Sequence, residues 1–165
     1  ARLIFDPAFQ IIILTPEQLT SGISNSWAVI SNDYEYAMIE RKTGLTIERI
    51  SEKVELVVVT YGDQGSKLLT AGRSVTIPVA KVTKVVDPTG AGDAYRSGLL
   101  RGLLLDLELE VTGRIASLAA AYAVEHVGTQ AHYYTIEEFI DRFDRSFPDY
   151  AGAITGPLLA DKQPI

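Results

Sequence analysis

The segment from Asp87 to Asp93 reads Asp-Pro-Thr-Gly-Ala-Gly-Asp and runs from the end of a predicted strand, at Val85 and Val86, into a helical pattern. Gly90 and Gly92 allow the backbone N–H groups of Ala91, Gly92 and Asp93 to point towards a bound anion. The positive end of the following helix would strengthen their field. The sequence therefore predicts a phosphate-binding cradle at the start of a helix.

Asp93 is an unexpected residue in a site that only binds anions, because its own negative charge would compete with the ligand. In phosphoryl transfer, by contrast, a carboxylate accepts or orients the proton of the attacking hydroxyl. The residue types therefore predict phosphoryl-transfer chemistry, with Asp93 as the catalytic base.

Two other glycine motifs do not fit the sequence. The dinucleotide-binding fingerprint requires Gly or Ala three positions after its second glycine, where this chain has Tyr95. The Walker loop requires Gly-Lys-Ser/Thr, whereas the glycine-rich segment 62–67 reads Gly-Asp-Gln-Gly-Ser-Lys. A tight turn between a strand and a helix remains the plain alternative for Gly90 and Gly92.

The composition is that of a globular domain with an acidic surface. The 165 residues are 47% hydrophobic and carry a net charge of −6, which disfavours a nucleic-acid partner. The chain has no cysteine, which fits a reducing cytoplasm, and its apolar runs are far shorter than the roughly 20 residues of a membrane span. We expect one domain over 1–148, an irregular tail over 149–165, and no membrane partner. The start looks cut, because Ala1 and Arg2 lead straight into a strand.

Strand-like apolar segments alternate with helical patterns along the chain, which predicts an α/β fold with a mostly parallel sheet covered by helices. The predicted strands are 3–5, 27–30 and 56–60, and segments 66–70 and 74–78 predict an antiparallel edge hairpin around Ala71 and Gly72. A long helical pattern over 91–127 is expected to break near 110–113.

Three helix starts carry capping signals. Thr15, Asn32 and Thr135 are each followed three positions later by Gln or Glu, the capping-box pattern. Pro16 fits the first helical position, and Gly44 is expected to end the second helix.

The string Asp87–Asp93 resembles the DTxGAGD signature of the ribokinase-like (PfkB) carbohydrate and nucleoside kinases. Two further family motifs precede it in the family order: NxxE as Asn32-Asp33-Tyr34-Glu35, and TxGxxG as Thr60-Tyr61-Gly62-Asp63-Gln64-Gly65. The resemblance covers roughly residues 3–143, and the phrases IFDP, SNDYE and DPTGAGDAYRSGLL look most like the adenosine-kinase-like bacterial branch. It implies the ribokinase-like fold, in its C-terminal part only.

The resemblance implies ATP and Mg²⁺ as cofactors, with K⁺ as an option, and a role for each matching residue. Asp93 would be the base, and Gly90, Ala91 and Gly92 the anion hole. Asn32 would bind the nucleotide phosphates and Glu35 would hold Mg²⁺ through water. The nucleotide loop would consist of Thr60, Gly62 and Gly65. Gly128 would belong to a second loop that lies beside the adenine and the monovalent cation. Asp87 and Thr89 would bind that cation.

Structural interpretations stand beside these roles. The capping box alone explains the spacing of Asn32 and Glu35, and a turn alone explains the glycines of 60–65. Pro88 and Tyr95 depart from the family's usual residues, and Pro88 leaves cation binding at Asp87 open.

Four other polar residues are interpreted as structural or surface residues and not as part of the site. His126 and His132 lack partners at zinc-ligand spacing, so a structural or exposed role is expected. Arg96 and Arg101 follow the cradle on one helix, where solvation or pairing is favoured over phosphate contact.

Family members are considerably longer and begin with a half that carries most acceptor contacts. We therefore expect a truncated chain that is inactive alone and whose N-terminal edge exposes apolar surface normally covered by the missing N-terminal half. The other expected partner is a small-molecule sugar or nucleoside acceptor, with adenosine as the first guess, and a homodimer is left open. The alternative function is a non-catalytic nucleotide-binding or oligomerisation module.

Overall fold

The structure, a computed structural model, describes residues 2–160. Within that range the strands are β1 (Ile4–Phe5), β2 (Ala28–Asn32), β3 (Leu56–Thr60), β4 (Ser66–Thr70) and β5 (Arg73–Ile77). The helices are α1 (Pro16–Ser24), α2 (Asp33–Thr43), α3 (Ile47–Ser51), α4 (Ala91–Leu104), α5 (Leu109–Val124), α6 (Ile136–Ser146) and α7 (Gly156–Ala160). Short 3₁₀ segments occupy Ala8–Ile12, Gly62–Gln64 and Pro148–Tyr150.

The chain divides into two compact units, Ala1–Thr76 and Ile77–Ile165, of which the structure describes 2–76 and 77–160. The first unit is built on the sheet, whose strand order is β1-β2-β3-β4-β5. β1, β2 and β3 are parallel, β3 and β4 are antiparallel, and β4 leads into β5 through Ala71 and Gly72. The predicted α/β fold, a mostly parallel sheet covered by helices with an antiparallel edge hairpin, is confirmed.

The core of the first unit lies where α1, α2 and α3 pack on the sheet. β2 and β3 are buried over nearly their whole length, which explains why their sequences are almost continuously apolar. The buried residues of this core are Ile11, Leu19, Ile23, Val29, Tyr36, Ile39, Ile50, Val54, Val57 and Val59.

The three predicted capping boxes are all present. Thr15 Oγ1 accepts from the Gln18 N–H and Asn32 Oδ1 from the Glu35 N–H, while each partner's side chain accepts from the cap residue's own N–H. Thr135 and its N3 glutamate repeat the arrangement at α6. Gly44 ends α2 with a φ of +73°, as predicted from its freedom to adopt the left-handed conformation.

The second unit is helical, and α4 and α5 pack closely because glycines lie at their contact. A Cβ atom on Gly98 would lie 2.7 Å from the Ala116 Cα atom, and one on Gly102 would lie 2.8 Å from the Thr112 side chain. The aromatic and aliphatic core of this unit consists of Ala80, Ile115, Leu118, Ala119, Ala121, Tyr122, Phe139, Phe143, Phe147 and Ile154.

The segment 78–90 contains no strand, so the prediction of a strand ending at Val85 and Val86 is wrong. Its backbone instead forms hydrogen bonds with α5, including the last residue of that helix. Ser117 Oγ accepts from the Ala80 N–H, and the Val124 carbonyl accepts from the N–H groups of Val86 and Asp87. Because these bonds use the backbone groups that a sheet ladder would need, the segment lies on the helix rather than in a sheet.

Two other predicted boundaries differ from the structure. The break in the helical pattern falls between Leu104 and Leu109, not at 110–113, and Gly113 lies inside α5. Asp106 marks the break with a φ of +53°, a conformation that aspartate adopts more readily than most residues. Segment 149–165, predicted to be irregular, contains α7, while 161–165 lies outside the described residues.

Candidate active site

The cradle has the predicted local geometry. Gly90 precedes α4 with a φ of +83°, a conformation that glycine adopts without strain, and Asp93 lies in the first turn. The first N–H groups of a helix have no partner four residues earlier, so this turn offers donors to an anion. The Ala91 N–H, however, donates to the Pro88 carbonyl at 3.2 Å, so the cradle depends chiefly on Gly92 and Asp93.

The Asp93 side chain is 82% exposed, and its Oδ1 accepts a hydrogen bond from Arg96 Nη1 at 3.0 Å. A Cβ atom on Gly92 would lie 3.1 Å from the same Nη1 atom, so the guanidinium lies against the cradle backbone. Arg96 therefore orients the carboxylate and brings positive charge to the cradle.

A second loop lies against the cradle. A Cβ atom on Gly90 would lie 3.0 Å from the Thr129 Cβ atom. Asp87 joins the two segments, since its Oδ1 accepts from the Thr89 N–H and its Oδ2 from the Gly128 N–H, each at 2.9 Å. The structure thus brings together all the residues of 87–93 and 128 that the sequence predicted for the site.

The two hydrogen bonds to Asp87, first that from Gly128 and then that from Thr89, hold the pKa of its carboxyl group below the ordinary value. A group whose pKa is lower in the folded than in the unfolded state stabilises the fold above its unfolded pKa, about 3.9 for Asp. That contribution is lost as the pH falls through the lower, folded pKa.

Asp87→Asn should therefore lower the melting temperature of the second unit at neutral pH, because one of the two N–H groups would face an amide NH₂ instead of an oxygen. Its melting temperature should also change less than that of the wild type between pH 5 and pH 2, since the variant lacks this titrating group. Calorimetric scans across that range, with the exposed Asp149→Asn as control, measure the effect. Identical profiles for wild type and Asp87→Asn would show that Asp87 does not join the loops.

The remaining predicted residues lie in the first unit, at the carboxyl ends of β2 and β3. Asn32 and Thr60 are register partners in these parallel strands, so they lie side by side. After Thr60 the chain turns through Gly62 and Gly65, with φ values of +59° and +90°, and the Tyr61 N–H donates to the Gly65 carbonyl. Carboxyl ends of parallel strands are where open α/β sheets bind ligands.

A cavity of about 460 Å³ opens beside Asp93 in the second unit. Its volume lies in the usual range for a small-molecule site. One stripe of α4 forms a wall, since Asp93, Ser97 and Arg101 are spaced by four residues and share a helix face. The full lining is Asp93, Ala94, Ser97, Gly98, Arg101, Ile115, Ala119, Thr129, Gln130, His132, Tyr134, Ile136, Phe139 and Leu159.

Comparison with known proteins assigns the chain to a family. The sequence pattern of the pfkB family carbohydrate kinases matches residues 2–135, most of the chain. The chain belongs to the pfkB family. A nucleoside kinase from Methanocaldococcus jannaschii is 31% identical over 141 residues, covering 86% of this chain and 47% of that protein. One from Methanothermobacter thermautotrophicus is 34% identical over 140 residues, covering 84% and 45%.

Solved structures of pfkB relatives have the same fold. The nucleoside kinase of Burkholderia thailandensis in complex with inosine has a TM-score of 0.87 and 32% identity, covering 89% of this chain and 48% of that one. The M. jannaschii enzyme has a TM-score of 0.83 and 30% identity, covering 87% and 48%. The chain spans about half the length of these relatives.

The acidic residues of the pfkB motifs have carboxylate oxygens, the kind of ligand that hard cations such as Mg²⁺ prefer. One oxygen of Glu35 accepts from the Asn32 N–H at 2.9 Å, which fixes the carboxylate in the capping box. Since Mg²⁺ keeps several waters and few protein ligands, such a fixed carboxylate fits a water-mediated contact. Both oxygens of Asp87 already accept N–H groups, but each retains a further lone pair for a cation. Within residues 2–160 no group of three or more His, Cys, Asp or Glu side chains is arranged to hold a metal ion.

Sequence reasoning missed much of the cavity. Ser97, Gln130, Tyr134 and Leu159 were not singled out. His132 and Arg101 were expected to have plain roles, yet both line the cavity. The four-residue spacing of Asp93, Ser97 and Arg101 was the available signal, while Leu159 comes from a segment with no clear periodicity.

No helix within 2–160 is long and apolar enough to cross a membrane.

Proposed function

We propose that this chain is the phosphoryl-transfer part of an ATP-dependent kinase that transfers the γ-phosphate to a hydroxyl group of a nucleoside. The observation that carries the proposal is the exposed carboxylate of Asp93 within the first turn of a helix that offers N–H donors to an anion. Family membership and the nucleoside kinase relatives support a nucleoside over another sugar-containing acceptor. Adenosine is the first acceptor to test.

Each residue of the site would have its own role in the transfer. Asp93 accepts the proton of the acceptor hydroxyl while the new O–P bond forms and the bond between the γ-phosphorus and the β,γ-bridging oxygen breaks. The N–H groups of Gly92 and Asp93 hold the negative charge of the transferred phosphate. Mg²⁺, when bound, would neutralise charge on the β- and γ-phosphates, with Glu35 holding it through water.

We propose that the 460 Å³ cavity takes the nucleoside part of a bound ligand. Tyr134 and Phe139 offer aromatic surface, with ring centroids 5.1 Å apart, and Gln130 and Thr129 offer polar atoms. A flat base with polar edges suits this mixture of surfaces. The family resemblance, which puts the loop of Gly128 beside the adenine, supports the same position.

The whole enzyme also needs the half that the relatives have and this chain does not match. We propose that this half supplies most acceptor contacts, so that the chain alone binds nucleotide but turns over little. Four of the five large exposed apolar residues described in the first unit fall within its first 13 positions. Leu3, Phe9, Ile12 and Ile13 would be covered in the complete protein.

A turnover assay tests the proposal. The complete gene product would be given ATP, Mg²⁺ and one acceptor at a time from a panel of nucleosides and sugars, beginning with adenosine and inosine. Phosphorylation of a nucleoside is the expected result. ATP binding without turnover of any acceptor would favour the non-catalytic nucleotide-binding module, and turnover of sugars alone would overturn the nucleoside assignment.

A further inference from the structure

Arg96 and Asp93 form an ion pair in which the two side chains have very different exposure. The Arg96 side chain is 27% exposed and the Asp93 side chain 82%, and their hydrogen bond joins Nη1 to Oδ1 at 3.0 Å. In the comparable pair on α6, Arg145 and Asp141 are 71% and 68% exposed, so water surrounds both partners. Arg96 is therefore a largely enclosed donor to which an exposed carboxylate is bonded.

The guanidinium of Arg96 occupies the space that a side chain at position 92 would need. A Cβ atom on Gly92 would lie 3.1 Å from Nη1 and 3.8 Å from Cζ of Arg96. Gly92 lies within α4 and does not have a positive φ, so a left-handed backbone is not the reason for a glycine there. The absence of a side chain instead lets the guanidinium approach the first turn of the helix, beside the carboxylate.

The backbone around Asp93 is fixed by the helix, so the side-chain torsions decide where the carboxylate points. The Asp93 carbonyl accepts from Ser97 Oγ at 2.9 Å, and the Gly90 carbonyl accepts from the Ala94 N–H at 2.9 Å. An exposed aspartate on such a backbone can still change its side-chain rotamer. The hydrogen bond from Arg96 restricts that freedom, since it engages Oδ1 and leaves Oδ2 to receive a proton.

We propose that Arg96 is a positioning residue for the general base, holding Oδ1 of Asp93 so that Oδ2 faces the hydroxyl group of the acceptor. The inference rests on the proposed function, because it takes Asp93 to accept that proton. General-base catalysis depends on alignment, and a misplacement of about 1 Å can lower the rate by about 10²-fold. Because an exposed ion pair adds little to stability, this pair contributes through orientation and not through folding.

Steady-state kinetics of the complete gene product with ATP, Mg²⁺ and a nucleoside acceptor tests the inference. Arg96→Gln should lower kcat about tenfold, because the carboxylate would spend less time in the productive orientation. The KM for ATP should change by less than about threefold, since water screens a charge pair this exposed. Arg96→Lys can still donate a charged hydrogen bond to Oδ1 and should recover most of the lost kcat.

A double-mutant cycle with Asp93→Asn shows whether Arg96 acts through the carboxylate. An amide cannot accept the proton, so its orientation should not affect the rate. Arg96→Gln should therefore change kcat by less than about twofold when Asp93→Asn is already present. Arg145→Gln is the matched control, because Arg145 also pairs with an aspartate of its own helix, and it should keep the wild-type kcat. If circular dichroism shows that Arg96→Gln does not fold, Arg96→Met takes its place.

Each other outcome overturns the inference in a recognisable way. An equal loss of kcat with and without Asp93→Asn would mean that Arg96 acts on the phosphates and not through the base. A raised KM for ATP with unchanged kcat would make Arg96 a ligand of the nucleotide. Unchanged kinetics, or Arg96→Lys as slow as Arg96→Gln, would mean that the hydrogen bond does not position the carboxylate. If the wild type turns over no acceptor, the proposed function fails, and the inference fails with it.

Discussion

Asp93→Asn should reduce kcat of the complete gene product in the proposed nucleoside phosphorylation by about 10²-fold to 10⁴-fold while leaving ATP affinity nearly unchanged. A positioned general base typically contributes a factor of this size, and an amide cannot accept the proton of the acceptor hydroxyl. The substitution keeps the shape of the side chain, and its remaining oxygen can still accept from Arg96, as Oδ1 does at 3.0 Å. Removing the negative charge next to the phosphates should, if anything, favour ATP binding.

Steady-state kinetics and calorimetric ATP titrations measure the two parts of this prediction. Asp141→Asn is the matched control, because Asp141 is an exposed aspartate of α6 that pairs with Arg145 away from the cavity beside Asp93. It should retain wild-type kcat. An Asp93→Asn enzyme within threefold of the wild-type kcat would exclude Asp93 as the base. A variant that loses ATP binding together with turnover would make Asp93 a ligand of the nucleotide instead.

Gly98→Ala should destabilise the protein by about 2 kcal/mol, a typical cost of adding a methyl group to a fully packed contact. The added Cβ atom would lie 2.7 Å from the Cα atom and 3.0 Å from the backbone N atom of Ala116, and 2.9 Å from the Ile115 carbonyl oxygen. These are backbone atoms of α5, so no side-chain rotation can relieve the overlap, and the two helices must move apart. The better helix propensity of alanine, about 1 kcal/mol, offsets only part of this cost.

Thermal unfolding by calorimetry should show a decrease in melting temperature on the order of 5 °C for Gly98→Ala. Gly156→Ala is a suitable control, because Gly156 also lies in a helix and a Cβ atom there would have no neighbour within 4 Å. It should be neutral or slightly stabilising. Equal melting temperatures for Gly98→Ala and wild type would mean that α4 and α5 are not held at the close distance of the structure.

The local parts of the fold were well predicted from sequence, because their signals lie within a few residues. The capping boxes at Thr15, Asn32 and Thr135 need only a polar cap and a Gln or Glu three positions later. The bounds of β3 were predicted as the structure has them, since an apolar, β-branched run buried on both faces has few other interpretations. The same locality explains why the turn at Gly90 could be recognised.

The errors arose where tertiary contacts decide the structure. The β-branched residues Val85 and Val86 suggested a strand, but the backbone there bonds to the end of α5. α3, only five residues long, was not predicted, because its pattern is too short to show a helical period. The family resemblance put Gly128 and Asp87 at one site, but the hydrogen bond between them joins residues 41 positions apart, which no local pattern reveals.

Titration of the ¹⁵N-labelled chain with ATP and Mg²⁺, followed by amide chemical shifts, would show which residues hold the phosphates. The amides of Gly92 and Asp93 should shift strongly, because their N–H groups would donate to the phosphates, and those of Gly128 and Gln130 should shift with them. Tripolyphosphate should shift the first two amides but not Gln130. Saturable ATP binding that leaves Gly92 and Asp93 unperturbed would mean that the phosphates lie elsewhere and that these residues do not form the anion site.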